Sequence, residues 1–236
     1  MTIQYPIRIN KYLAEKKETT RRGADELISQ GLVFVNGEPA KLGDMIQEHD
    51  SVEVRYRAGK KKALVYLAYN KPRGVVTHSA DEGDEDIADR VPVPGVFPIG
   101  RLDKDSHGLI LLTNDGRVTE RLLGPGHEHE KEYVVTTKDR LRPNFKQKME
   151  EGVELGEETT RRAKVEILGD KTFRIILTEG KNRQIRRMCA ALFQEVVSLR
   201  RVRIMNIEIG DLKEDAWREI EGEERETLLR ALGLNA

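Results

Sequence analysis

An α+β chain in two parts is predicted: a small unit, then a larger one built on a mixed, mainly antiparallel sheet flanked by helices. Three observations predict it. Two short helical patterns and an Asn-Gly hairpin signal fill the first 55 residues, a basic aperiodic stretch follows, and beyond it several strand-like runs are separated by few helices and many short connections. With 236 residues, 38% of them apolar, the chain can bury one good core and a small satellite.

In chain order, RINKYLAEKK (residues 8–17) brings Ile9, Tyr12 and Leu13 onto one helical face. TRRGADELISQG repeats the pattern, with Thr20 as N-cap and Gly31 placed to end the helix. LVFVNGEPA sets Asn36-Gly37 between extended stretches, and SVEVRY alternates like a strand. YRAGKKKAL has Gly59 and three successive lysines without periodicity, which makes residues 59–63 a basic linker between a first domain, 1–58, and a second, 64–236. LVYLAYNKPRGVV then reads as a central strand ending in the turn Lys71-Pro72-Arg73-Gly74, and the acidic DEGDEDIADR (81–90) as a surface loop. GLILLT (108–113) suits a buried strand, RVTERLL a helix and EYVVTT a strand, with Pro143 at the start of the helix in PNFKQKMEEG. FRIILT and VRIMNIEI read as strands, and between them Ile185, Met188, Cys189 and Leu192 fall at helical spacing.

Charge and composition narrow the function. Forty-one basic side chains balance 41 acidic ones, yet residues 1–62, 63–120, 121–210 and 211–236 carry net charges of +3, −4, +5 and −4. KNRQIRRMCAALFQEVVSLRRVR (181–203) holds seven cations against Glu195, the footprint expected for phosphates, although a solvated helix face gives the same pattern. No apolar run approaches the roughly 18–20 residues of a membrane span and the amino terminus lacks a signal-peptide core, so a cytoplasmic location is expected. A single cysteine, Cys189, excludes an internal disulfide and a thiolate-rich zinc site. The absence of a long heptad seam favours a monomer.

FPIGRLDKDSHGLILLTNDG places Asp103 where a loop enters an apolar strand. A turn aspartate bonding its own backbone and a chemically active carboxylate both fit, and Asp105 is the nearby second carboxylate. GHEHEKEY offers His127 and His129, but with no third histidine or helical spacing they read as loop residues, not metal ligands. Tyr133 can stack on a base or fill a core, Leu177 can wall a base or fill a core, and Gly180 suits a turn approaching phosphate.

The ordered combination is more specific than its parts. Residues 6–55 resemble an S4 RNA-binding module in RINKYLA, TRRGADELISQGLVFVNG and DSVEV. Residues 64–233 resemble the catalytic domain of the Rsu/Rlu group of bacterial ribosomal-RNA pseudouridine synthases, through NKPRG, GRLDKDSHGLILLTND, HEKEY and LTEGKNRQIRRM in family order. GKNRQIRRMC and RVRIMNI are similar to the large-subunit rRNA pseudouridine synthase F subgroup. The resemblance implies isomerisation of a uridine without cofactor or metal, in a structured stem-loop of rRNA, 23S first, with tRNA as the alternative. It implies Asp103 as the nucleophilic or proton-abstracting carboxylate, Tyr133 stacked on the target base and Arg186 paired with Asp103. Arg101, Leu177, Lys181, Asn182, Arg183 and Arg187 are then the expected substrate contacts, and Arg8, Lys11, Arg21 and Arg22 the S4-like RNA contacts. A non-catalytic ribosome-assembly protein and a nucleoside hydrolase are the competing readings.

Overall fold

The computed structural model describes residues 3–16, 19, 21–55, 63–77, 85–124 and 128–234, and of Arg22 the backbone alone. Thr20, residues 59–62 of the expected linker, residues 81–84 and His127 lie outside the described residues. The chain forms two compact units, residues 1–64 and 65–236. Among the described residues no helix is long and apolar enough to cross a membrane.

In the first unit β1 (Ile7–Arg8) runs into α1 (Ile9–Glu15), followed by α2 (Arg21–Ser29), β2 (Val33–Val35), β3 (Glu38–Pro39), β4 (Met45–Ile46) and β5 (Val52–Val54). Asn36 and Gly37 take positive φ of 51° and 88° between β2 and β3, the backbone that a two-residue hairpin turn needs. Ile9 and Leu13 from α1 meet Ala24, Ile28, Val33 and Ile46 in the core, and Tyr12 packs at its edge. The β1–β4 pair, two residues on each side, is too short to show alternation in sequence.

The second unit runs β6 (Tyr66–Lys71), α3 (Ile87–Arg90), β7 (Phe97–Ile99), β8 (His107–Thr113), α4 (Gly116–Leu123), β9 (Lys131–Thr137), α5 (Phe145–Glu151), β10 (Glu154–Leu155), β11 (Glu158–Thr159), β12 (Lys164–Gly169) and β13 (Thr172–Leu177). It continues through α6 (Gln184–Ala191), β14 (Val196–Ile204), β15 (Ile207–Glu208), β16 (Trp217–Glu219) and α7 (Gly222–Ala231). Nine strands form one mixed sheet in the order β12-β13-β9-β14-β8-β6-β16, with β15 on β14 and β7 on β8. The β14–β8 pairing is parallel and the other pairings are antiparallel.

The two halves of this sheet differ in cover. Strands β6 and β8 are buried on both faces: Leu67, Tyr69, Ile110 and Leu112 pack with Ile87, while Tyr66, Ala68, Leu109 and Leu111 pack with Val118 and Leu228. That is why both read as unbroken apolar runs. Strands β9 and β13 bury one face, where Val135, Phe173 and Ile175 meet Phe145 and Met149 of α5 and Met188 and Cys189 of α6. Their other face carries Glu132, bonded to Arg203 at 2.8 Å and paired with Arg174 at 3.1 Å. Burial pushes the Cys189 thiol up to about 12, so it is a packing group.

Three expectations are corrected. The acidic stretch is not all surface loop: Asp86 caps α3 by accepting from the backbone N–H groups of Ala88 and Asp89, and Ile87, the lone large apolar residue there, is fully buried. VRIMNIEI is not one strand, because Met205 at φ 53° and Asn206 turn the chain between β14 and β15. Pro143 precedes Asn144, the N-cap of α5, and so stands outside the helix. Strand β12, an edge strand with Val165 as its buried residue, and α7, whose buried leucines fall in its last turns, add to the expected elements, although Ala163, Val165 and Ile167 alternate with charged residues into and along β12.

Where β8 pairs with β14, Gly108 has φ 105°, and a Cβ built on it would lie 2.2 Å from the Arg201 carbonyl oxygen. Gly108→Ala is therefore expected to lower unfolding free energy by roughly 2–4 kcal/mol, combining backbone strain and overpacking. Urea denaturation checks it; an unchanged midpoint would show that the strands can part without cost.

Candidate active site

Asp103 stands in the loop between β7 and β8, its side chain 30% exposed. The loop is tied at several points. Thr77 Oγ1 donates to the Leu102 carbonyl (2.7 Å) and accepts from the Leu102 N–H (3.1 Å), the Gly74 N–H donates to the Lys104 carbonyl (2.8 Å), and the Ser106 N–H closes back on the Asp103 carbonyl (2.9 Å). The turn after β6 thus holds the carboxylate loop by its backbone. Lys71 shapes that turn: fully buried, its Nζ donates to the carbonyls of Pro72 (2.8 Å) and Val75 (2.7 Å). Burial first, then the charge of Arg201, brings its ammonium down to about 8 against the opposing pull of Asp103 and Asp105.

On the other side of the β8–β14 pairing α6 supplies the cations. Arg183, at its N-cap with φ 44°, donates both Nη atoms to Asp105 (3.2 and 2.9 Å) and lies 3.6 Å from the Asp103 carboxylate. Arg186 is 14% exposed and reaches the Asp105 carboxylate (3.3 Å), the Asp105 carbonyl (3.2 Å), Ser106 Oγ (3.3 Å) and the Val196 carbonyl (3.1 Å). The expected Arg186–Asp103 pair is therefore replaced: Arg183 is the cation beside Asp103, and Arg186 grips the loop through Asp105. The left-handed turn before α6 explains it, because it puts Arg183 between the two carboxylates. Burial tends to raise the Asp105 carboxyl, but the hydrogen bond from Arg183 and the charges of Arg186 and Arg183 outweigh it and hold it below the usual carboxylate range. Burial lowers the Arg186 guanidinium, opposed by Asp105 and reinforced by Arg183.

Asp103 opens onto a cavity of about 510 Å³ whose lining includes Tyr133, Leu177, Lys131 and Arg201. Register explains the grouping. Lys131 lies opposite Leu177, Tyr133 lies opposite Arg201, and Lys131 and Tyr133 are two residues apart on β9, so all four project from one face. Arg101, Lys181 and Asn182 also line the cavity. Arg187 does not: it donates to the Leu155 carbonyl (3.2 Å) and faces Glu158. Sequence reading missed Lys131 and Arg201, though period-two spacing around Tyr133 marks the first. Arg201 is 4% exposed and donates to the carbonyls of Leu109 (2.7 Å) and Arg101 (3.4 Å), while its Nη2 is buried without a hydrogen-bond partner.

His129 Nε2 lies 2.9 Å from the Arg121 carbonyl oxygen. In the first unit Arg8, Lys11 and Arg21 are exposed, with Lys11 3.5 Å from Glu15. The Arg22 side chain lies outside the described set.

Comparison with known proteins matches residues 65–191 to the RNA pseudouridylate synthase family and residues 7–52 to the S4 domain. The chain is 41% identical over 222 residues to the dual-specificity RNA pseudouridine synthase RluF of Escherichia coli (strain K12), covering 92% of this chain and 77% of that protein. It is 35% identical over 223 residues to the ribosomal large subunit pseudouridine synthase B of Bacillus subtilis (strain 168), covering 88% and 91% respectively. A crystal structure of a pseudouridylate synthase aligns with a TM-score of 0.71 at 33% identity, covering 94% of this chain and 99% of that one.

The Lys71 ammonium provides a pH test of the loop's support. Below pH 8 it is charged in both folded and unfolded states, and the folded state bears the burial cost; above about 10.4 it is neutral in both. Between those limits the unfolded chain binds more protons, so unfolding free energy should rise with pH by about 1–3 kcal/mol relative to Lys71→Met. Denaturant unfolding of the two proteins across that window checks this, and a flat difference would refute it.

Proposed function

The chain belongs to the RNA pseudouridylate synthase family, and from that membership we propose that it isomerises a specific uridine of ribosomal RNA, in the 23S molecule, with the Asp103 carboxylate and no cofactor. The observation that carries the reading is the convergence of Asp103, Tyr133 and Leu177 on one cavity, with Arg183 and Arg186 at the loop that holds Asp103.

The reaction exchanges the N1–C1′ bond for a C5–C1′ bond: C5 loses a proton, N1 gains one, and no electrons change hands. A carboxylate acting as nucleophile or base, with an enclosed space in which the detached base can turn, meets that requirement. A paired base must first be turned out, at a cost of about a few kcal/mol, and stacking on Tyr133 offsets roughly 1–3 kcal/mol of it. Leu177, diagonal to Tyr133 across the β9–β13 pair, closes the apolar side of the base. Arg183, 3.6 Å away, orients the Asp103 carboxylate, while Arg186 positions the loop through Asp105. Arg101, Lys181 and Asn182 meet the flanking backbone, and Arg187 meets RNA outside the cavity.

Large-subunit rRNA as substrate is supported by the name of the Bacillus relative, and a second RNA, for which tRNA is the candidate, by the dual specificity named for the Escherichia relative. A monomer acting in the cytoplasm is the working unit of this reading. The S4-type domain, residues 1–58, joined through the basic stretch 59–63 to the catalytic domain 64–236, adds affinity through Arg8, Lys11, Arg21 and Arg22.

Two measurements test this. With 5-tritiated uridine in unmodified 23S rRNA, wild type should release tritium and Asp103→Asn, matched for folding, should release it roughly 10²–10⁴-fold more slowly. Tight RNA binding by wild type without release from 23S, 16S or tRNA would favour an assembly protein, and free uracil a hydrolase. Deleting residues 1–58 should weaken rRNA binding and flatten its salt dependence; unchanged affinity in a salt titration would reject the division of labour.

A further inference from the structure

Helix α6 ends in a turn that calls for glycine and receives phenylalanine. The Gln194 N–H donates to the Cys189 carbonyl (2.8 Å) and the Phe193 N–H to the Ala190 carbonyl (2.9 Å), which leaves Phe193 in the left-handed region at φ 60°. A bulky side chain there is strained. Phe193 is also 75% exposed, so it adds nothing to the core that would offset the strain. Its ring is not bare: the Arg142 guanidinium carbon lies 4.9 Å from the ring centroid.

The ground around it is firm. Gln194 Nε2 donates to the Arg140 carbonyl (3.1 Å), the Lys138 N–H to the Glu195 carbonyl (2.9 Å) and the Leu141 N–H to the Asp170 carbonyl (2.8 Å), so the segment bearing Arg142 is braced against the segment bearing Phe193. Four cations gather here: Lys138 pairs with Glu195, Arg140 with Asp170, Lys171 Nζ donates to the Lys138 carbonyl (2.8 Å), and Arg142 lies over the ring. The pairs Lys138–Glu195 (3.0 Å) and Arg140–Asp170 (3.1 Å) are exposed on both sides, so a phosphate can replace either carboxylate at little cost. The exposed face of α6, a helix of about 12 Å, leads there from the cavity through Arg183 and Arg187 and then Ala190 and Ala191, and its second half exposes no bulky side chain.

We propose that Phe193, backed by Arg142, is a stacking platform for an unpaired base of the substrate RNA, several nucleotides removed from the uridine in the cavity. An aromatic face beside a guanidinium recognises any base and does not read its edge. The platform rests on RNA being the substrate and is independent of what Asp103 does.

The test uses Phe193→Gly, which suits the backbone, and Phe193→Trp, which keeps an aromatic face. Binding of the full-length proteins to a 23S rRNA fragment containing the modified region is measured at constant salt, without turnover. Phe193→Gly should bind about 5- to 20-fold more weakly, and Phe193→Trp within about twofold of wild type. In urea denaturation Phe193→Gly should be at least as stable as wild type, which separates lost stacking from lost folding. Wild-type affinity in Phe193→Gly, or weaker binding accompanied by lower stability, would overturn the platform; the first result would point to a protein as occupant of this face. Wild-type failure to release tritium would defeat the isomerase reading and leave this binding comparison intact.

Discussion

The catalytic unit depends on the close approach of β8 and β14 at Gly108. There the sheet changes from antiparallel to parallel across two register pairs, Arg200 with His107 and Arg201 with Gly108. One half-sheet, around β6 and β8, is covered on both faces; the other, around β9 and β13, packs on α5 and α6. The site straddles this seam. Asp103 arrives on the loop leading into β8, while Tyr133, Leu177, Arg183 and Arg186 arrive from the other half. Their mutual geometry is therefore set by how tightly two backbones meet where a side chain cannot fit.

Charge around that seam is divided unequally. Asp105 engages Arg183 through two hydrogen bonds and also meets Arg186, whereas Asp103 has its nearest cation, Arg183, at 3.6 Å. One carboxylate is thus held and the other left open to the cavity. Lys71 and Arg201 bond to backbone carbonyls, so their positive charge shapes loops and still acts on the site. The buried Nη2 of Arg201 has no hydrogen-bond partner, which leaves donor capacity beside the cavity that a carboxylate-paired arginine would lack.

Much of the framework is legible in sequence because it rests on local periodicity. GLILLT and LVYLAYN are apolar throughout because β8 and β6 are covered twice, and Asn36-Gly37 announces its hairpin through the backbone it must adopt. The pairing of cations with carboxylates was not legible. Arg183, Arg186, Asp103 and Asp105 come from segments some 80 residues apart, and a left-handed turn at Arg183 decides which meets which. Lys131 was overlooked because a lysine opening a strand reads as solvent-facing, and Arg201 because its basic neighbours Arg200 and Arg203 mask a side chain that is buried.

Strand β9 carries a consequence for how such a protein changes over generations. Lys131 and Tyr133 face the cavity, while Glu132 between them belongs to the ion pairs with Arg174 and Arg203 on the opposite face. Adjacent residues therefore serve different faces of the sheet. Substitutions at 131 and 133 alter what the cavity accepts while leaving the charged outer face untouched, and a change at 132 does the reverse. The cavity lining and the partly buried ion pairs of the opposite face can therefore change separately along the same seven residues.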